Sequence, residues 1–169
     1  MPNWCNNTLE VTGPEDSIKK FVESAKEIIE DKEIPLSFNS LYPEPNYEEI
    51  KVFPVIVDSP AGDSSNMPDW WNWRNSNWGT KWDLASDTMF DSGMNWATYS
   101  FDTAWGPPIE LFDKVSADYP SLKFVITYGE PGMWFSGQAI WEDGKMFSHT
   151  EGEYQSFFPD EAKEFLESE

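Results

Sequence analysis

Basic residues are scarce in this chain: eleven Lys and Arg stand against thirty-one Asp and Glu, for a formal net charge of −20. Arg74 is the sole arginine. Nucleic-acid binding rests largely on Lys and Arg that displace counterions from phosphate, so a basic footprint for DNA or RNA is missing. Such a charge also disfavours anionic membrane surfaces. Cysteine is confined to Cys5 and histidine to His149. That excludes a disulfide framework and an iron–sulfur cluster, and leaves too few nitrogen and sulfur ligands for a structural zinc site. Carboxylates are abundant enough for an oxygen-ligated metal, but no metal site and no cofactor are assigned. Long apolar runs are missing too. The longest, Val52 to Val57, is far short of a membrane span. No charged-then-apolar leader is visible, so a cytoplasmic setting is expected.

Aromatic residues are plentiful: ten Trp, twelve Phe and six Tyr, too many for a disordered acidic chain. A length of 169 residues predicts one domain, 1–169. Alternation predicts a strand over Cys5 to Thr12. Gly13-Pro14 stops it, and Pro14 with Glu15 and Asp16 suits a helix start. Ile18, Phe21, Val22, Ala25, Ile28 and Ile29 give one apolar stripe, which predicts a helix to about Glu30. Leu36 to Tyr42 reads as a second strand, Trp96 to Ala104 as a third and Leu122 to Tyr128 as a fourth. Pro107 to about Tyr119 is the second helix. Leu36 to Pro45 and Leu122 to Pro131 share the pattern L-x-F-x-x-x-Y-x-E-P, a weak duplication of a strand–helix–strand unit.

The order β-α-β-β-α-β predicts an α+β, ferredoxin-like sheet with both helices on one face, built from 1–42 and 96–147. Residues 43–95 form a long Trp-rich insertion between the second and third strands, with a Ser/Gly/Pro stretch, Asp58 to Asp69, that reads as mobile. Asp143-Gly144 predicts an added hairpin, with arms Phe135 to Trp141 and Lys145 to Phe147. Residues 148–169 form an acidic extension with a short helix from Pro159.

Three motifs occur in order: Met1-Pro-Asn-Trp-Cys5 with Asn7 and Val11-Thr-Gly13; Asn77-Trp-Gly-Thr-Lys-Trp-Asp83; and Phe101-Asp-Thr-Ala-Trp-Gly-Pro-Pro108. Together they resemble the YubB-like family of phage and plasmid proteins over about 1–147. The resemblance implies a mobile-element origin, hence a bacterial host cell, and the ferredoxin-like domain. It implies no activity and no catalytic residues.

The leading functional expectation is a non-enzymatic acidic accessory protein. It would bind a host or rival protein, with a nucleic-acid-handling defence protein as target and charge mimicry as mechanism. High negative charge also serves plain solubility. The contact residues expected are Glu23, Glu27, Glu30 and Asp31 near the first helix, and Glu161, Glu164 and Glu167 in the tail. An alternative is a small-ligand or glycan module using Trp70, Trp71, Trp73, Arg74, Trp78, Lys81 and Trp82. Against it, the indoles also suit a core, with Arg74 stacked on Trp and Lys81 paired to an acid such as Asp83. Gly79 would supply a left-handed turn. Tyr99, Phe101 and Phe124 offer an RNA-stacking platform that the charge opposes.

Enzymatic readings are weaker. A free Pro2 amine would resemble the tautomerases, which usually recruit arginines. Glu44 and Glu130 are repeat equivalents, but their strand ends fall at opposite edges of the sheet, too far apart for paired-carboxylate chemistry. His149 reads as a surface residue, and Cys5 as packing.

Overall fold

The computed structural model describes residues 3–49, 67–84 and 87–168. Pro2, the Val52–Val57 run and most of the Asp58–Asp69 stretch lie outside the described residues. The first strand, β1 (Trp4–Thr12), alternates strictly: Cys5, Asn7, Leu9 and Val11 are buried, and the residues between them are exposed. Period-two burial of this kind sets one apolar and one polar face on the sheet. β1 pairs antiparallel with β5 (Trp96–Ala104) on one side and β6 (Lys123–Glu130) on the other. Two more strands, β7 (Phe135–Glu142) and β8 (Lys145–Glu153), extend the sheet beyond β6 through the Asp143-Gly144 turn. Both turn residues have positive φ, 53° and 80°, as a two-residue hairpin requires.

Helix α1 (Glu15–Ala25) turns Ile18, Phe21 and Ala25 to the core. Phe21 meets Tyr99 and Phe124 edge-on, with ring centroids 6.0 and 5.3 Å apart. The later helix Ile109–Asp118 places Phe112 against Phe124 and Trp141 at 5.8 and 5.9 Å. Both helices therefore cover the same sheet face. Tyr99, Phe101 and Phe124 are at most 5% exposed, so these three rings are not open to stack on bases.

Three expectations are corrected. First, α1 ends at Ala25, and β2 (Glu27–Ile29) and β3 (Lys32–Ile34) form a separate hairpin. Its two-residue turn, Glu30-Asp31, has φ of 51° and 65°. Ile28 and Ile29 are exposed and not part of a helical stripe. Second, Leu36 to Tyr42 is not a strand. It holds a short helix, α2 (Phe38–Leu41), with Ser37 as cap accepting from Ser40 N–H. The shared L-x-F-x-x-x-Y-x-E-P pattern therefore adopts two unlike conformations and marks no structural repeat. Third, the second strand of the core is β4 (Met89–Ser92), paired with β5. The long insertion precedes that strand.

The sheet order is β4-β5-β1-β6-β7-β8. Its first four members, with α1 between β1 and β4 and α4 (the Ile109–Asp118 helix) between β5 and β6, make the ferredoxin-like unit. The insertion contributes α2 and α3 (Asp69–Asn77), whose Phe38 and Trp73 join the core cluster. After β8 a single 3-10 turn, Tyr154–Ser156, leads to α5 (Pro159–Glu167). Tyr154 and Phe158 stack at 5.2 Å over Gly129, on the face opposite α1 and α4. No helix among the described residues is long and apolar enough to cross a membrane.

Candidate functional site

The three sequence motifs converge where β1 begins and β5 ends. Asn7, 3% exposed, donates from its amide to Cys5 O, Phe101 O and Thr103 Oγ1 (3.0, 3.3 and 2.9 Å). Thr103 donates onward to Gly106 O at 2.6 Å, and Thr80 donates to Ala104 O at 3.0 Å. Buried polar groups need such partners, and these side chains find them on strand and turn backbone. Gly79 has φ of 81°, and a Cβ there would fall on the Glu110 carboxylate. Burial pushes that carboxyl above its usual pKa.

Asp83 reinforces the Ser37 cap at the start of α2. Its Oδ1 accepts from Phe38 N–H (2.8 Å) and Leu84 N–H (2.7 Å), and its Oδ2 from Asn39 N–H (3.0 Å). Burial raises its pKa despite those bonds. Asp83 is thus not the partner of Lys81. The Lys81 ammonium stands 4.3 Å from the Trp82 ring centroid and 6.0 Å from that of Trp105. Trp105 holds a left-handed backbone, φ 72°, unusual for a large side chain.

The Trp cluster divides. Trp78 is fully buried and Trp73 9% exposed, so both pack in the core; Trp71 is half-buried, and Trp70 and Trp82 are exposed. The Trp78 indole donates to Tyr42 O at 3.0 Å. Arg74 lies 5.1 Å from the Trp70 centroid and 5.3 Å from that of Trp78, and forks onto Glu44 at 2.6 and 3.0 Å. Burial alone would raise the Glu44 pKa, but hydrogen bonds from Arg74 and Tyr47 outweigh it and hold the carboxyl below the ordinary range.

Beside this frame a cleft of about 770 Å³ opens on the polar sheet face. Trp4 and Trp82, 47% and 38% exposed, form one corner with centroids 6.0 Å apart. Thr8, Ser100 and Asp102 line its floor, with Asp87 and Thr88 at the rim. Asp102 accepts from Asn6 at 2.6 Å. The Thr88 hydroxyl is buried and has no hydrogen-bond partner among the described residues. Sequence reasoning singled out Trp82 but missed its partner Trp4, which reaches it only through the fold.

The acids expected to bind a partner fall into two groups. Glu23 lies in the last turn of α1 and pairs with Lys26 at 3.2 Å; Glu30 and Asp31 are exposed in the β2–β3 turn. Glu27 lies in β2, half-buried, and accepts from the Ser37 hydroxyl at 2.5 Å. Glu161, Glu164 and Glu167 are exposed on α5, which follows the segment packed on the opposite sheet face. The structure does not gather the two groups into one patch.

His149 is an exposed residue of β8, as the sequence suggests, and its ring also has partners. Its Nε2 stands 2.7 Å from the Tyr128 hydroxyl, which donates to Glu151 at 2.9 Å. That assignment puts the ring proton on Nε2. Gly137 makes the cluster possible, because a Cβ there would lie 2.3 Å from the Tyr128 oxygen. Glu130, 1% exposed, accepts from Gly132 N–H and Met133 N–H at 2.6 and 2.7 Å, so it shapes a turn. Burial pushes the Cys5 thiol up to about 12, which makes it a poor nucleophile.

Residues 77–167 match the family described as "Ferredoxin-like domain in Api92-like protein". The chain belongs to this family. A crystal structure of a protein api92 from Yersinia pseudotuberculosis is similar at a TM-score of 0.59 and 11% identity, covering 91% of this chain and 98% of that one. At that identity the likeness shows the fold alone. No curated protein matches the chain.

Proposed function

We propose that this is a non-enzymatic binding protein of a phage or plasmid that docks on a basic host or rival protein through its negative surface. The partner class that fits is a DNA- or RNA-handling protein, whose nucleic-acid groove the acidic surface would occupy. The observation that carries this reading is the charge of −20, with few acids held by a base: six pairs with Lys or Arg occur among the described residues. Most carboxylates therefore project their field into solvent, where it steers association with cationic surfaces. The three shared motifs support the mobile-element origin. A cytoplasmic setting in the host follows from that reading.

The test is capture from a nuclease-treated bacterial lysate with release by a salt gradient. A variant with Glu23, Glu30, Asp31, Glu161, Glu164 and Glu167 changed to their amides runs beside it. Retention of a nucleic-acid-binding protein, competed by DNA or RNA and released at lower salt from the variant, supports the proposal. Equal retention by the variant, or none by either, overturns it.

A second reading, a small-ligand or glycan module, draws on the Trp4–Trp82 corner, since Trp73 and Trp78 are committed to the core. A shift and quench of indole fluorescence by nucleotides or glycans, lost in Trp82→Leu, would favour it over protein docking.

A further inference from the structure

We infer that the cleft between Trp4, Trp82 and Asp102 is a socket for an arginine side chain of the basic partner. This rests on the protein-binding reading above and deepens it. The molecule contains a finished example of the arrangement. At Arg74 a guanidinium lies about equally far from two indoles, Trp70 and Trp78, and forks onto the Glu44 carboxylate. The cleft offers the same groups, two indoles and a carboxylate, and no Lys or Arg lines it among the described residues.

Each group has spare capacity. Trp4 and Trp82 meet at 40°, so they form an open corner and not a closed stack. The electron-rich face of an indole attracts cations, and Trp82 already carries one, the Lys81 ammonium at 4.3 Å. Asp102 is exposed, and the bond it accepts from Asn6 engages one of its two oxygens. A carboxylate accepts more than one bond, so donors can still reach it. Asp83, by contrast, is used up by backbone N–H groups. Arginine suits the socket better than lysine. Its planar fork stacks on an indole while reaching a carboxylate, and it sheds water more readily than an ammonium. The net charge of the chain draws any cation toward the site.

The test uses the full chain and two capped tripeptides, acetyl-Gly-Arg-Gly-amide and its citrulline counterpart, which keeps the shape and removes the charge. Indole N–H resonances are followed in two-dimensional NMR and assigned with Trp4→Phe and Trp82→Phe. The arginine peptide should move the Trp4 and Trp82 signals saturably, and citrulline should bind at least about fivefold more weakly, the size expected of a cation on an indole. Asp102→Asn should weaken the arginine peptide by about tenfold, as loss of a charged hydrogen bond does. Trp82→Leu serves as an independent variant, and unchanged dispersion of the remaining signals certifies both folds. Equal response to citrulline, or shifts scattered over surface acids with Trp4 and Trp82 still, overturns the socket. Partner capture that survives Asp102→Asn and Trp82→Leu also overturns it while leaving the docking proposal standing. Failure of capture with intact peptide binding would strike the docking proposal instead.

Discussion

On one face of the sheet Leu9, Tyr99, Phe124 and Trp141 pack under α1 and α4, all of them fully buried. On the other face the same strands present Thr8, Thr98, Ser100 and Thr127, and among the described residues the C-terminal segment and the Trp4–Trp82 corner stand beside them. Threonine keeps strand preference without needing cover, because its branched carbon suits the pleat while its hydroxyl meets water. A sheet covered on one side can thus be stable and still leave the other side for contact. The aromatic wealth of the chain is spent mainly on the first face, and the exposed indoles at the cleft stand out against a polar field.

The sharpest way to test that division is to make one change on both faces. Trp141 is fully buried against Phe112 and donates to Asp113 at 2.8 Å. Trp141→Ala should cost about 3–5 kcal/mol in urea unfolding, the usual cost of emptying an aromatic core site. Trp4→Ala, at 47% exposure, should cost under ~1 kcal/mol. Comparable losses at the two sites would mean that the polar face is not open in solution.

Next in size is Gly137→Ala. The added methyl would press on the Tyr128 hydroxyl and on Thr150 O, and overpacking of this kind costs about 1–3 kcal/mol. Tyr128 would lose His149 and Glu151 together. Introducing Tyr128→Ala first should remove part of the penalty, and a double-mutant cycle in denaturant measures that coupling. Strict additivity would show that the glycine acts through backbone alone.

Much of the covered face was legible in the sequence. Cys5 to Thr12, Trp96 to Ala104 and Leu122 to Tyr128 alternate so that one register alone buries the apolar set, and β1, β5 and β6 follow within a residue or two. Asp143-Gly144 named its turn in the same way. The failures have physical reasons. Ile28 and Ile29 fit a helical stripe, yet β-branched residues equally suit a strand, and the Glu30-Asp31 turn has positive φ without a glycine to announce it. Leu36 to Tyr42 has strand composition, but Ser37 and the distant Asp83 cap its backbone into a turn of helix. β4 has no alternation to read, since all four residues are exposed and only pairing with β5 defines it. The site was half visible: the motifs pointed to the right end of the sheet, while most of their residues build it rather than bind. His149 and Glu151, two apart on a strand near Gly137, were the signal for the Tyr128 cluster.

The insertion that completes the covered face has its own point of weakness. Glu44 is held below the ordinary carboxyl range by Arg74 and Tyr47 against the pull of burial. A depressed native pKa adds stability above the unfolded carboxyl value and loses it as pH falls through the native one. Arg74→Leu leaves Glu44 with burial dominant and should raise the midpoint of acid unfolding. Circular dichroism across pH 2–7 measures it, and the effect should be far smaller for a change at exposed Asp31. An unmoved midpoint would show that the pair is exchanged for water without cost.

The smallest effect is expected at the cleft, and it is best seen by pairing two isosteric changes. In Asp83→Asn an amide NH₂ must replace one carboxylate oxygen, while Phe38, Leu84 and Asn39 N–H groups all need acceptors. One donor would then face another, at a cost of about 1–2 kcal/mol, typical of a lost helix cap. In Asp102→Asn the amide oxygen can still accept from Asn6, and the new NH₂ group can turn to water. Its stability should stay within ~0.5 kcal/mol of the parent by the same unfolding measurement. Two aspartates on adjoining loops and strands would then separate cleanly, one holding the fold together and one free to meet a cation. A large loss at Asp102 would instead make it part of the frame, and the polar face would have less room for a partner than its exposure indicates.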